Sequence, residues 1–400
     1  MSIQLAQRLE NIKPSATLEI TAKAKEMKKE GIDVIGLGSG EPDFDTPDYI
    51  KKKAVEAIKK GETKYTPVDG IVSLKEAIAD KTKKENNLEY KTSEIIISTG
   101  AKQVLFNALL ATVNPEDEVI IPAPYWVSYP DMVFLAQGKP VVVTCSQDND
   151  FKLIPDALEA AITPKTRWLI INSPSNPTGS VYSKKELVEI GKVLERHPHV
   201  MAMSDDVYEY LVYDNHIFHT LAEVAPFLKK RALIVNGVSK GCSMTGWRIG
   251  WGCGPQSLIA AMKKVQSQST SNACTPSQYA ALASLVEKKD YLPKWIKTFS
   301  KRRDFIVDQL NECPGITCSK SQGTFYVYAS CEGVIGKRTP ENKLLENDQD
   351  VCKYFLESAR VAVVPGSAFG LGPYFRASYA TSFENIKEAC SRLKKACEIL

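Results

Sequence analysis

The chain lacks most of the features that would settle its class at once. Only four of its 400 residues are histidine, and its ten cysteines include no C-x-x-C pair, so spacing indicates neither a zinc site nor a dithiol redox centre. His197 and His199 flank a proline in a turn-like stretch. His216 and His219 stand three apart with no acidic or cysteine cluster to complete a ligand set, so they read as loop residues. No metal is assigned. A chain of this length closes a core without disulfide staples, and the cysteines read as reduced, small packing residues. No apolar run approaches the roughly 18 residues that cross a bilayer. The opening MSIQLAQRLENIKPSAT has neither an apolar signal stretch nor an arginine-rich, acid-free transit character. A soluble, cytoplasmic protein is expected. An excess of charge of one sign is missing as well: 51 Lys and Arg against 47 Asp and Glu leave +4 without a basic block, which argues against a nucleic-acid partner.

What is present describes a globular chain, with 44% hydrophobic and 24% charged residues. Its length exceeds one core, and a prior of about 150 residues per domain gives two or three domains. From residue 49 to about 255, helical patterns at 49–60, 71–85, 102–112, 126–137 and 184–197 alternate with short apolar runs at 95–97, 119–121, 141–143, 168–171, 200–203 and 233–235. Runs of three to five apolar residues bounded by Gly, Pro, Asn or Asp predict strands buried on both faces. Their alternation with helices predicts an α/β domain with a largely parallel sheet. After Pro255 the pattern changes to two long amphipathic stretches, 258–288 and 290–311. An α+β tail follows, with strands at 323–328 and 361–364, an exposed loop near 333–347 and a closing helix at 384–400. No fixed-period repeat or low-complexity tract occurs.

The stretch richest in chemistry is NGVSKGCSMTGWRIG, residues 236–250. It follows a predicted strand, so Lys240 is presented at the carboxyl end of a parallel strand, where ligand sites form. An amine on a flexible stem there can condense with a carbonyl compound, and Arg248 offers a planar fork for a phosphate. Alone, a surface Lys and an ordinary Arg would explain both residues. The spacing decides otherwise, because the stretch resembles the lysine motif of the class I and II aminotransferases, the pyridoxal-phosphate enzymes of the aspartate aminotransferase fold.

That resemblance implies fold type I, with a mainly parallel seven-stranded sheet in a large α/β domain and a smaller α+β domain. It places the large domain at 49–288, the small one at 289–400, and residues 1–48 with the latter. It makes Lys240 the Schiff-base lysine of pyridoxal 5′-phosphate and Arg248 a phosphate ligand. MSDDVY at 203–208 is similar to the family's S-D-E-x-Y motif, which implies Asp205 at the pyridinium nitrogen and Tyr208 at the ring's phenolate oxygen. Asp206 reads as a solvated acid. Asn176, in NSPSNPTG at 172–179, is the second donor to that oxygen and lies near the substrate.

In STGAKQ at 98–103 the strand-to-helix turn suits a phosphate. By resemblance Gly100, Ala101 and Lys102 bind it there, and Trp126 in PYWVSYP covers the ring and borders the substrate. GEPDFDTP at 40–47 and RASYATS at 376–382 resemble the substrate segments of the bacterial- and plant-type aspartate aminotransferases. They imply that Gly40 and Arg376 hold the α-carboxylate and that Lys102 meets a distal carboxylate. Thr17, in KPSAT at 13–17, matches a segment linked to prephenate in some members. Tyr65, in GETKYTPVDG at 61–70, is implied to reach the phosphate of the neighbouring subunit, hence a homodimer with shared sites.

The expected activity is transamination between aspartate or glutamate and 2-oxo acids, with prephenate or another amino acid as the alternative. Three other readings are weaker. A pyridoxal-phosphate lyase fits the GEPDFDTP and A-K-Q segments poorly. A cofactor-fold regulator lacks a segment for a DNA-binding module. For a nucleotide-binding Rossmann protein the Gly36–Gly40 spacing matches only in part, and the Glu-Pro-Asp that follows cannot open the required helix.

Overall fold

The computed structural model describes residues 3–12 and 16–400. Thirteen strands occur among them: β1 Ile35–Gly36, β2 Ile95–Thr99, β3 Glu118–Ala123, β4 Lys139–Thr144, β5 Thr166–Asn172, β6 Met201–Asp205, β7 Ala232–Gly237, β8 Ile249–Cys253, β9 Thr317–Cys318, β10 Tyr326–Ser330, β11 Val361–Ala362, β12 Val364–Pro365 and β13 Tyr374–Ser378. A seven-stranded sheet runs in the order β2-β8-β7-β6-β5-β3-β4. Every pairing from β7 to β4 is parallel, whereas β8 lies antiparallel between β2 and β7.

The inner strands of the sheet are buried on both faces, as their apolar runs predict, but the run at 141–143 is not: β4 is the edge strand and Val142 is 45% exposed. Along β2, Ile95 and Ile97 join one core cluster while Ile96 joins the other. Along β5, Leu169 and Ile171 pack opposite to Trp168 and Ile170. Alternate side chains point to opposite faces, so a strand apolar at every position needs a layer on each side. Only β8 left no run of its own. Its sequence, IGWGC, carries glycine at alternate positions, which weakens a strand signal. Gly250 is used there for closeness, since a Cβ would overlap the backbone of Ala101 at the start of helix Ala101–Thr112.

The predicted helices recur with shifts of one or two residues at their ends, such as Val72–Asn86 and Lys184–Arg196, the latter started by a Ser183/Glu186 capping box. The stretch at 258–288 is two helices, Gln256–Ser267 and Thr275–Val286. Pro276 tolerates only a helix's first turn, so the second helix has to begin there. Downstream, β12-β13-β10-β9 form an antiparallel sheet. Helices Leu292–Asn311 and Phe383–Glu398 pack against each other and close a core containing Phe299, Ile306, Phe325, Phe375 and Leu393. β1 pairs in parallel with β11, so the start of the chain is tied to its end.

Candidate active site

The carboxyl ends of five strands of the large sheet converge on one cleft. β2 runs into Gly100, β3 into Trp126, β5 ends on Asn172, β6 on Asp205, and β7 leads to Lys240 three residues on. Loops and helix N-termini gather at this edge of a parallel sheet. From the other side β10 contributes Tyr326 and β13 contributes Arg376. The enclosed volume is about 480 Å³.

The Lys240 amine donates to the carbonyl of Gly40 and lies 5.6 Å and 5.8 Å from the ring centres of Tyr208 and Phe325. Burial lowers its pKa to about 8, and the Arg376 cation acts in the same direction. A large share of this amine is therefore unprotonated in mildly alkaline water, as a nucleophile or proton acceptor requires.

Asp205 is 4% exposed, and burial raises its carboxyl to about 6. Tyr129 opposes that rise by donating from its hydroxyl to Oδ2 at 2.6 Å. The Tyr129 ring meets Trp126 edge-on at 5.4 Å. Asn172 braces the same place twice. Its Nδ2 donates to the Asp205 carbonyl at 2.9 Å, and its Oδ1 accepts from the Asn176 backbone N–H at 2.8 Å.

Arg376 is 2% exposed, and its guanidinium is only partly satisfied by the protein. Nη1 donates to Asn176 Oδ1 and Nη2 to the Gly38 carbonyl, both at 2.8 Å, and the group lies 4.4 Å from the centre of the Tyr326 ring. Its Nε is buried without a protein partner. An orphaned donor at the wall of a cleft is costly unless a ligand completes it. The hydroxyls of Tyr326 and Tyr208 are 2.9 Å apart, and burial holds both phenols protonated well into the alkaline range.

The opposite end of the cleft is cationic. Gly100, at φ +85°, turns β2 into helix Ala101–Thr112, and a side chain on it would collide with the Arg248 guanidinium. Arg248 donates to the Thr245 carbonyl at 2.8 Å. Lys102 stands 4.7 Å over the Trp126 ring, its pKa lowered by burial and then by Arg248. Two cations beside the open N–H groups of a twelve-residue helix form an anion site.

The cleft thus brings together Gly40, Ala101, Lys102, Trp126, Asn176, Asp205, Tyr208, Lys240, Arg248 and Arg376, with Gly100 in the turn behind Arg248. Tyr65 is not among its walls and is 91% exposed. Thr17 lies in helix Ala16–Lys29, but its side chain, like residues 13–15, is outside the described residues. Asp206 needs correction. Expected as a solvated acid, it is 2% exposed, accepts from Ser204 Oγ at 2.7 Å, and is pushed well above the carboxylate range by burial. Just beyond the end of β6 its carboxyl meets the hydroxyls of Ser204 and Thr220 in place of water.

Sequence reasoning passed over Tyr129, Asn172 and Tyr326. The first two stand within segments it used, Tyr129 almost one helical turn after Trp126 and Asn172 at the strand end before Asn176. That spacing was the available signal. Tyr326 had none, because it arrives from a distant strand.

The chain belongs to the class I and II aminotransferases, whose family model matches residues 32–393. Among similar proteins, the aspartate/prephenate aminotransferase of Cereibacter sphaeroides is 53% identical over 393 residues, covering 98% of each chain. The crystal structure of the aspartate aminotransferase from Rhizobium meliloti superposes with a TM-score of 0.97 at 51% identity, covering 100% of both chains. The Thermus thermophilus aspartate aminotransferase with maleate gives 0.92 at 38% identity, over 99% of this chain and 100% of that one.

Tyr129→Phe removes the donor that holds the Asp205 carboxyl down. In the cofactor-free protein that carboxyl is expected to titrate above its value of about 6, by roughly half to one pH unit further. Direct infrared or NMR titration of the side chain reads this, and an unchanged midpoint would show that the 2.6 Å contact carries no electrostatic weight.

Proposed function

We propose that this chain is a pyridoxal-phosphate-dependent aminotransferase that moves the α-amino group between aspartate or glutamate and 2-oxo acids. The observation that carries the reading is the arrangement around Lys240. A partly neutral amine lies in one cleft with a buried carboxylate, a cationic phosphate cradle and a buried arginine whose Nε has no protein partner.

The residues fit the cofactor group by group. Gly100, Ala101, Lys102 and Arg248 would hold its phosphate, and the lack of room for a side chain at Gly100 suits a close backbone approach. Asp205 would face the ring nitrogen and Trp126 one ring face, while Asn176 and Tyr208 would reach the ring oxygen. Asn176 gives its Oδ1 to Arg376, which keeps its NH₂ as the donor. When bound, the cofactor supplies an aldehyde for the amino group and a ring that takes up the electron pair released at the substrate's Cα.

Arg376 binds the α-carboxylate through its planar fork and so orients the Cα–H bond. The Lys240 amine, with a pKa near 8, would take the proton from the substrate's Cα and deliver it, across the nitrogen being transferred, to the cofactor's carbonyl carbon. Asp205, anionic beside a cation, keeps the ring nitrogen protonated, and Tyr129 holds that carboxylate in place. Lys102 meets the distal carboxylate of a dicarboxylic substrate. The Thermus relative's structure with maleate, a dicarboxylate, supports a dicarboxylic substrate. Prephenate is the second acceptor to consider, because the Cereibacter relative is an aspartate/prephenate aminotransferase.

The reading includes a homodimer with shared sites. Support comes from the exposed Tyr65 and from Val55, Ile58 and Val286, apolar residues exposed on helices Asp48–Lys59 and Thr275–Val286, which pack against each other. The β1–β11 pairing supports grouping residues 1–48 with a small domain at 289–400, beside a large domain at 49–288. No helix among the described residues is long and apolar enough to cross a membrane. All ten cysteines are free and all but Cys274 are buried, which fits the reducing cytoplasm.

Steady-state turnover with aspartate, glutamate, alanine and prephenate tests the proposal. Oxo-acid formation from aspartate with its amino group transferred to the acceptor is expected, and release of free ammonia in place of that transfer would move the chain to the lyases. Lys102→Gln should raise KM for aspartate by about ten- to a hundredfold, the range for a hydrogen bond to a charged group, and leave alanine turnover much less changed. An equal loss for both substrates would remove Lys102 from distal recognition.

A further inference from the structure

Gln266, near the end of helix Gln256–Ser267, has none of its surface exposed. A primary amide has two N–H donors and an oxygen with two acceptor sites, and here every one is used. Oε1 accepts from Ser98 Oγ at 2.5 Å and Asn107 Nδ2 at 2.9 Å. Nε2 donates to the carbonyls of Ile97 at 2.9 Å and Val68 at 2.7 Å. Three of these partners belong to the chain around Gly100: Ile97 and Ser98 lie in β2, and Asn107 in the helix that Gly100 opens. The fourth, Val68, belongs to the loop that carries Tyr65.

That loop is anchored at further points. Thr275 Oγ1 donates to the Lys64 carbonyl at 2.8 Å, and the Ile97 N–H donates to the Asp69 carbonyl at 3.1 Å. Gln278, also fully buried, accepts from the Ile71 N–H at 2.9 Å and donates to Thr66 Oγ1 at 3.1 Å. Tyr65 lies between the Lys64 and Thr66 anchors and is nevertheless 91% exposed. Anchors on both sides restrict where this exposed ring can stand, which suits a contact with another chain.

We propose that Gln266 is a positioning residue with two outputs. It sets the Ser98–Lys102 turn for the phosphate of its own subunit, and through Val68 it sets the placement of Tyr65 against the phosphate held by a second copy of this chain. One buried amide therefore ties together phosphate contacts in both sites of the dimer. The inference rests on the cofactor and dimer reading above.

Hybrid dimers separate the outputs. In one, a wild-type subunit is paired with a subunit carrying both Lys240→Ala and Gln266→Leu, so the lysine-bound visible band reports only the wild-type site. That site keeps its own Gln266 and receives Tyr65 from the altered partner. Its pyridoxal phosphate should be lost about three- to tenfold faster than in a hybrid whose partner carries Lys240→Ala alone, the effect of one buried hydrogen bond. Thr275→Val loosens only the loop, so beside Lys240→Ala it should accelerate loss from the wild-type partner's site, whereas on the subunit that keeps Lys240, paired with a Lys240→Ala partner, it should leave the loss rate unchanged. Hydrogen exchange of residues 61–71 in the cofactor-free dimer should quicken in both variants, while β5 to β7 stay protected.

Equal loss rates in the Gln266→Leu hybrid and its control would overturn the proposal, as would a Thr275→Val effect confined to its own site. If Gln266→Leu does not fold, the Thr275→Val hybrid and the exchange data decide the loop output. A wild-type dimer without any visible band under excess pyridoxal phosphate would instead bring down the cofactor reading, and the two-output inference with it. Normal loading without any effect across the dimer would overturn the inference alone.

Discussion

Lys240→Ala is expected to lose transamination by on the order of 10⁴-fold or more, the upper range for a positioned proton-transfer group. The side chain has two duties in one place, linking to the cofactor's carbonyl carbon and carrying the proton at the substrate's Cα. Both need an amine that is neutral part of the time. The cleft provides this by withdrawing the amine from water and setting Arg376 nearby, which brings its pKa to about 8. No other lysine can substitute, since Lys102 stands at the phosphate end, over Trp126. The variant should still bind pyridoxal phosphate through the cradle around Gly100 and Arg248, without the visible band of the lysine-bound form. Borohydride reduction followed by peptide mass analysis should find label at residue 240 in the wild type and none in the variant. Near-normal turnover by the variant would dismiss Lys240 from the chemistry.

Asp205→Asn should cost on the order of 10³-fold in kcat, comparable with loss of a preorganised charge partner in a buried site. An amide cannot hold a proton on the ring nitrogen, so the ring becomes a poorer electron acceptor. The variant should fold, because asparagine keeps the shape and can still accept from Tyr129. A second measurement isolates the carboxyl itself. In the cofactor-free protein burial raises Asp205 from 3.8 to about 6, so between these values the folded chain binds the proton more tightly than the unfolded chain. Stability attributable to this group is present below that window and is lost as pH rises through it. The wild type minus Asp205→Asn difference in unfolding free energy should accordingly fall by about 3 kcal/mol from pH 3.5 to pH 7, since each tenfold gain in proton affinity is worth about 1.4 kcal/mol. Denaturant midpoints at the two pH values measure it, and a flat difference would mean that the carboxyl is not held out of water. Pyridoxal phosphate should reduce this slope, because a cation at the ring nitrogen stabilises the carboxylate.

The residues of the cleft divide by how far apart they lie in the chain. Lys240 and Arg248, Asp205 and Tyr208, and Gly100 to Lys102 are each part of a short segment whose spacing follows from one turn of backbone at a strand's end. Such segments carry their geometry locally, and they were legible. The Tyr129–Asp205 bond joins residues 76 positions apart, and the Arg376–Asn176 bond joins residues 200 apart. Neither has a spacing rule. β8 escaped for a related reason. Its glycines are there for a helix that approaches across the sheet, so its strand character depends on neighbours and not on its own side chains. Asp206 misled because an acidic residue next to Asp205 looks solvated in any linear reading, and only its burial against Ser204 and Thr220 shows that it is not.

By itself the amino-acid sequence determined the α/β class, the alternation of most strands and helices between residues 49 and 255, and the segments bearing a lysine, a carboxylate and a phosphate-binding turn. Periodicity, turn residues and local spacing act over ranges of a few residues, and these properties need nothing longer. Tertiary structure alone decided which side chains face one another: the orphaned Nε of Arg376, the Tyr129 donor to Asp205, and the buried Gln266 that joins β2 to the loop of Tyr65. Those contacts arise when helices, strands and loops distant in the chain are packed together. Their energies come from burial and from hydrogen bonds that exist only once water has been excluded.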